Sequence, residues 1–363
     1  MGRYILYDYL QLAGGAERLT LDLVNGLPGY ELVVSRIFPQ ARLLAPLQEI
    51  DQAALHCLGT PITRGLGRIP EAMLAFRQRT DFLRDAEVVL YSGFYAPAAV
   101  SNQQRGRRVY YCHTPPRYAY DSRQRYLDRV PALVRPAASL VISTLRNQYE
   151  SALAQMDKVV ANSDNVRGRL ETYLGIEAEV VHPPIDTERF RWLGQDDYFI
   201  SLARLDAYKR VDLIVKAFLA MPDQKLLVVS GGVEEANLKK LANGAANIFF
   251  MGWQTEESLR ELLGLARAAI YVPIDEDFGM SPVEAMSAGK PVIGVNDGGL
   301  TETLLDGVTG VLLPKQISVE ALIDAVNSMT AVRALGMRAA CEARAKLFSK
   351  QVFLERMRTV LGG

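Results

Sequence analysis

Short apolar runs alternate with amphipathic stretches of helical period through almost the whole of this 363-residue chain. That alternation constrains the fold more than any other feature. Strand, helix and strand in one sheet need a right-handed crossover, and repetition gives a parallel sheet covered by helices on both faces. The pattern predicts strands at Arg3–Tyr9, Val33–Phe38, Glu87–Ser92 and Arg108–His113, with helices at Ala16–Gly26 and Glu71–Arg84. A long helix at Pro136–Met156 follows, then a strand–helix–strand unit at Lys158–Asn162, Val166–Leu174 and Glu179–His182.

The pattern then restarts. Pro183-Pro184 cannot continue a helix and favours extended backbone, so the segment 183–192 reads as a boundary. Beyond it, strands are predicted at Tyr198–Ala203, Lys225–Ser230, Asn247–Met251, Ala269–Pro273, Pro291–Val295 and Gly310–Leu313, with helices between them. The reading is α/β: two doubly wound, Rossmann-like domains at 1–190 and 191–348, and a helical segment at 349–363 containing the amphipathic helix Ser349–Leu361. Ligands bind such sheets outside the carboxyl ends of the strands, so two facing sheets predict an interdomain cleft.

Charge and cysteine use narrow the function. Lys+Arg and Asp+Glu balance at 41 each, which argues against a nucleic-acid binder. No apolar run reaches the length of a membrane span. Met1–Leu10 lacks a basic region followed by an apolar block and reads as a first strand, not a secretory signal. Cys57, Cys112 and Cys341 are odd in number and far apart, which argues for a reducing compartment and against a zinc cluster. A cytoplasmic enzyme is expected. One local bias stands out: residues 105–135 carry eight arginines against Asp121 and Asp128. Such a stretch is either a solvated face or a surface for anionic lipid or a phosphate-bearing acceptor.

The unusual residues fall just after strands. Gly14-Gly15 opens the first helix, where backbone N–H groups and the helix dipole favour a phosphate. Arg204 and Lys209 follow the strand Tyr198–Ala203 and can bracket a diphosphate, stabilising charge that develops as it leaves. Glu276 and Glu284 flank Phe278-Gly279-Met280-Ser281, and Ser281-Pro282 reads as N-cap and first helical residue, which puts Glu284 in the first turn. Carboxylates beside free helix N–H groups suit a polyol. Asp275–Asp277 also reads as a metal-binding pair, but the two cations already supply the charge that a metal would bring. His113 ends its strand before Thr114-Pro115-Pro116. No catalytic triad pattern, Walker loop or CxxC occurs.

Together Gly14-Gly15-Ala16-Glu17, Arg204-x4-Lys209 and Glu276-x7-Glu284 resemble the retaining GT-B glycosyltransferases, glycosyl transferases group 1 (family 4). So do Val160-Ala-Asn-Ser163, Pro183-Pro-Ile-Asp186 and Ala288-Gly-Lys-Pro-Val292. The segment 111–118, Tyr-Cys-His-Thr-Pro-Pro-Arg-Tyr, is similar to bacterial mannosyltransferases of O-antigen and exopolysaccharide synthesis, although Tyr120 stands where these often carry Trp.

The resemblance implies a nucleotide-sugar donor, with mannose from GDP-mannose as the expectation, and a lipid-linked saccharide acceptor at the inner face of the plasma membrane. It implies that Arg204 and Lys209 hold the diphosphate, that Glu284 binds the ribose and that Glu276 binds the sugar. Amides from Phe278, Gly279, Met280 and Ser281 complete these contacts, Gly15 admits the diphosphate, and His113 faces the sugar near its 6-hydroxyl. It also implies a last helix that crosses back to the first domain, no cofactor and no catalytic metal. Retention through an oxocarbenium-like transition state needs no separate nucleophile if the leaving diphosphate takes the acceptor's proton. A UDP-sugar-dependent transferase, a sugar-nucleotide epimerase and a non-catalytic nucleotide-sugar sensor stay open as alternatives.

Overall fold

The computed structural model describes residues 2–11, 14–43, 45–61 and 68–362. The chain forms two units, one from residues 1–182 with 353–363 and the other from residues 183–352.

The first unit is a seven-stranded parallel sheet. Its strands are β1 (Arg3–Tyr7), β2 (Tyr30–Val34), β3 (Leu55–Cys57), β4 (Val88–Ser92), β5 (Arg107–Cys112), β6 (Lys158–Ala161) and β7 (Glu179–Val180), ordered β3-β2-β1-β4-β5-β6-β7. β1 therefore pairs with both β2 and β4, and the strand order reverses between β1 and β4. Residues such as Ile5, Leu90, Val109 and Val160 are fully buried, as a sheet covered on both faces requires. The helix Lys350–Leu361 contributes Phe353, Leu354, Met357, Val360 and Leu361 to the core on one face of this sheet.

The second unit is a six-stranded parallel sheet: β8 (Tyr198–Ser201), β9 (Lys225–Val228), β10 (Ile248–Phe250), β11 (Ala268–Ile270), β12 (Val292–Val295) and β13 (Gly310–Leu313). Its order, β10-β9-β8-β11-β12-β13, is the 3-2-1-4-5-6 arrangement of a dinucleotide-binding sheet, with its switch point between β8 and β11. The segment entering this unit is anchored by Lys290, whose buried Nζ donates to the Gly194 carbonyl at 2.5 Å and lies 3.5 Å from the centre of the Trp192 ring. Burial lowers the Lys290 amine to about 7, and Arg338 on the same indole adds to the effect.

Three expectations need correction. The helix expected at Glu71–Arg84 is Arg68–Gln78 followed by a separate turn, Asp81–Leu83, and the edge strand β3 has no counterpart in the predicted strands. The helix near Glu284 runs Met280–Ser287 with Gly279, not Ser281, as N-cap; Gly279 has φ +87°, so the turn closes two residues earlier and Glu284 falls beyond the first turn. The eight arginines do not form one stretch of surface. Arg105, Arg107 and Arg108 lie at the amino end of β5 and the others follow its carboxyl end. Arg107 and Arg108 are the first two residues of this strand, and its other four, roughly 13 Å, separate the two sets.

Candidate active site

In the second unit the switch point brings together the loops after β8 and β11. The loop after β8 carries Arg204, then a turn of 3-10 helix, Ala207–Lys209, capped by the Asp206 carboxylate accepting from the Tyr208 N–H at 3.1 Å. Arg210 follows in the left-handed region at φ 50°. Its guanidinium donates to the carbonyls of Val272 (2.7 Å) and Pro273 (2.8 Å), and the Ile274 N–H donates to the Tyr208 carbonyl at 2.8 Å. These bonds stitch the two loops together and decide where Lys209 points.

Lys209 Nζ donates to Glu276 Oε2 at 2.5 Å and to the Tyr271 hydroxyl at 2.9 Å, and that hydroxyl donates to the same Glu276 oxygen at 2.8 Å. Burial, reinforced by the Glu276 charge, holds the Tyr271 phenol well above its ordinary pKa, so it stays a donor. Arg204 is exposed, with Asp206 3.9 Å away. Lys209 and Glu276 thus sit side by side, and Arg204 stands at the mouth of the same loop.

The peptide from Glu276 to Met280 is held by a glycine pair. Gly298 has φ +57°, and a Cβ there would come 2.4 Å from the Glu276 carbonyl oxygen; one on Gly299 would come 2.4 Å from Phe278 Cα. The Gly299 N–H donates to the Glu276 carbonyl at 2.8 Å. Asp297 accepts from the Asp275 N–H at 3.1 Å and pairs with Lys315 at 2.9 Å. Phe278 turns its ring into the core against Phe348, so only its backbone faces the loop. Met280 and Ser281 are the first two helical residues, whose N–H groups have no partner within the helix. Glu284 lies further along, with Arg189 3.7 Å from its carboxylate; Arg189 is also 3.3 Å from Glu256. At the carboxyl ends of β9 and β10, Gly231 sits against the indole of Trp253, which is exposed.

In the first unit the switch point is closed by Asp8, just beyond β1. Its carboxylate accepts from the N–H groups of Phe94 (2.7 Å), Tyr95 (2.7 Å) and Ala96 (2.9 Å) after β4. Gly14 is the N-cap of the helix Gly15–Gly26, and its N–H donates to Glu17 at 2.9 Å. His113 follows β5, bonds to Ser92 Oγ through Nε2 at 2.9 Å and packs edge-on to Tyr7 and Tyr111. Burial lowers its pKa to about 4, so its ring is neutral at physiological pH.

Tyr271, Arg210, Asp8, Trp253 and the Gly298-Gly299 pair escape a motif reading. Gly298-Gly299 and the flanking Asp297 were visible as a glycine pair after a strand, the signal that singled out Gly14-Gly15.

Two doubly wound Rossmann-like units, the second with cation and carboxylate loops at its switch point, define the GT-B class of glycosyltransferase. Family models agree: residues 13–189 match Glycosyltransferase Family 4 and residues 185–348 match Glycosyl transferases group 1. The chain belongs to these GT-B glycosyltransferases. It is similar to the alpha-1,3/1,6-mannosyltransferase ALG2 of Dictyostelium discoideum, 29% identical with 82% of this chain and 83% of that protein covered. The alpha-1,3/1,6-mannosyltransferase alg-2 of Neurospora crassa is 26% identical over 82% of this chain and 76% of its own length. Among solved structures, a lipopolysaccharide outer core galactosyltransferase WaaB shares the fold, with TM-score 0.72, 16% identity and coverage of 99% of this chain and 98% of that one. Among the described residues, no helix is long and apolar enough to cross a membrane.

Proposed function

We propose that this glycosyltransferase is a retaining, metal-independent enzyme that moves mannose from GDP-mannose to a lipid-linked saccharide. The observation that carries the reading is the Lys209–Glu276–Tyr271 cluster at the switch point of the second sheet. A cation and a carboxylate fixed side by side suit a ligand whose anionic diphosphate adjoins a neutral polyol. Arg204 and Lys209 take the diphosphate and stabilise its developing charge as the glycosidic bond breaks. Glu276 and the amides of Phe278–Ser281 hold the sugar, and Glu284 the ribose. Trp253, exposed beside Gly231, offers its ring to the base. The departing diphosphate accepts the proton of the attacking hydroxyl on the same face, so the configuration is retained. The roles that the family resemblance implies for His113 and Gly15 belong to the same proposal. Mannose is favoured because two similar proteins are named as mannosyltransferases.

Titration with GDP and UDP, followed by transfer assays with each sugar nucleotide, tests this reading. Tighter GDP binding, an α-linked product from GDP-mannose and activity that survives EDTA are expected. The chain has two tryptophans, and Trp192 is covered by Lys290 and Arg338. Fluorescence quenching by GDP that disappears in Trp253→Phe therefore reports the base directly. Selective binding of UDP overturns the donor assignment, and metal-restored activity after chelation overturns the assignment of Asp275–Asp277 as a plain loop.

A further inference from the structure

At the amino end of the first sheet, four residues stand in one row across neighbouring strands: Tyr30 on β2, Arg3 on β1, Val88 on β4 and Arg107 on β5. Side chains alternate along a strand, so partners in register share a face. This is the face that the last helix covers, since Tyr30 and Val88 belong to the same buried cluster as Phe353, Met357 and Leu361. Two arginines thus stand in a row whose other members are core residues. A third comes from the helix itself: Arg358 donates to the Gly26 carbonyl at 2.9 Å. A Cβ on Gly362, just past the helix, would lie 3.0 Å from Arg107 Nη1, so the Arg107 guanidinium reaches the helix end.

Arg3, Tyr30, Glu87 and Arg358 line a cavity of about 220 Å³ here, together with Leu27, Pro28, Val88 and Leu361. Its charges do not balance. Arg3 is paired with Glu87 at 2.6 Å, but among the described residues no acid pairs with Arg107 or Arg358. Three guanidiniums therefore meet one carboxylate. The Tyr30 phenol feels the charge of both Arg3 and Arg107, and burial holds its pKa above the ordinary value, so it adds a donor and no charge.

We propose that this cavity binds a small phosphomonoester, with Arg107 and Arg358 on its phosphate and Leu27, Val88 and Leu361 against its organic body, and that the ligand pins the last helix to the sheet. Charge selects the ligand. A phosphomonoester carries close to two negative charges at pH 7, which matches two uncompensated guanidiniums, and the guanidinium fork fits phosphate oxygens. A carboxylate would balance one cation only. Size narrows it further: pockets for drug-sized ligands start at roughly 300 Å³, so this one is too small for a nucleotide sugar. Its apolar side chains have nothing to meet in bare phosphate. The site lies at the amino ends of the strands, whereas Asp8 and His113 follow the carboxyl ends, so it is separate from the loops described above. A ligand held by Arg358 on the helix and Arg107 on the sheet bridges the two.

The test is calorimetry on the full chain with phenyl phosphate, benzoate and inorganic phosphate, each with and without saturating GDP or UDP. Phenyl phosphate should bind with the nucleotide present, and benzoate and inorganic phosphate should each bind roughly tenfold or more weakly. Arg107→Gln and Arg358→Gln should each weaken phenyl phosphate binding roughly tenfold or more while keeping the wild-type melting curve and nucleotide affinity. If either variant melts early, lysine replaces glutamine at that position, because it keeps the charge and loses the fork. Phenyl phosphate should also slow amide hydrogen exchange in the helix Lys350–Leu361. No binding of phenyl phosphate beside the nucleotide overturns the proposal, as does unchanged affinity in both arginine variants. Benzoate that binds as tightly overturns the phosphate assignment. Inorganic phosphate that binds as tightly shows an adventitious ion only. Binding that is lost in Lys209→Ala belongs to the donor loop and also overturns the site, and unchanged exchange in the last helix overturns the pinning.

Discussion

Lys209 and Glu276, 67 residues apart in sequence, meet at 2.5 Å, and the Tyr271 hydroxyl bonds both. Both side chains are mostly shielded from water, at 16% and 18% exposure. Removing one partner of such a pair leaves a poorly solvated charge behind, which costs more than the pair itself contributes. Lys209→Ala and Glu276→Ala should therefore each destabilise the fold by about 1–3 kcal/mol. The double substitution should cost clearly less than their sum, because it leaves no orphaned charge. Urea unfolding of the four proteins decides this; additive effects would mean that the two groups do not interact in solution. Turnover of Lys209→Ala should also fall at least tenfold at saturating donor, through loss of a charge-assisted bond worth roughly 1.5–3 kcal/mol.

The two glutamates should separate in binding. An anion that engages Lys209 competes with Glu276 for its amine, so Glu276→Gln should bind free nucleoside diphosphate as tightly as wild type or more tightly, while transfer falls. Glu284 has its cation neighbour, Arg189, elsewhere at 3.7 Å, and is proposed to meet the ribose. Glu284→Gln should weaken nucleoside diphosphate binding whether or not a sugar is attached. Calorimetry on both variants is the measurement, and equal losses would contradict the assignment.

Sequence periodicity made the strand–helix alternation legible, and with it the placing of Arg204, Lys209 and Glu276 just after strands. The same reading missed β3, because three residues, Leu55–Cys57, are too few to show a period. It missed Arg210 and Tyr271 because their roles are long-range: Arg210 bonds carbonyls 62 and 63 residues away. Ser281-Pro282 gave a false N-cap, since Gly279 could take the left-handed backbone that closes the turn earlier. The Lys290 motif marked the family, but its side chain is buried against Trp192 and anchors the fold.

Gly298 offers a test of how tightly Glu276 must be held. Alanine there strains a backbone at φ +57° and drives a Cβ to 2.4 Å from the Glu276 carbonyl oxygen, which is backbone and has little room to yield. Gly298→Ala should lose about 1–3 kcal/mol of stability and most transfer activity. Gly307 is the control: its φ is +71°, but nothing lies within 4 Å of a Cβ placed there. Gly307→Ala should destabilise through backbone strain alone and keep wild-type turnover per folded molecule. Equal activity losses at matched stability would show that the Glu276 loop is not specifically positioned by the glycine pair.

His113 sets an acid limit. Burial behind Tyr7 and Tyr111 lowers its pKa from 6.5 to about 4. Between these values the unfolded chain holds a proton on this ring that the folded chain does not, so unfolding takes up a proton and stability falls as pH falls. The loss begins near pH 6.5 and is complete near pH 4, where the folded ring also protonates. Its full size is on the order of 3 kcal/mol. Above pH 6.5 the contribution is constant, so the ring should give no inflection in the transfer rate between pH 7 and pH 8. His113→Gln keeps a polar group near Ser92 Oγ but has no proton to gain. Its melting temperature should fall less steeply than that of wild type from pH 6.5 to pH 4.5, although the variant starts lower at pH 7 from the lost packing of the ring. Parallel curves for the two proteins would mean that His113 titrates like an exposed imidazole, and the neutral ring would have to be given up.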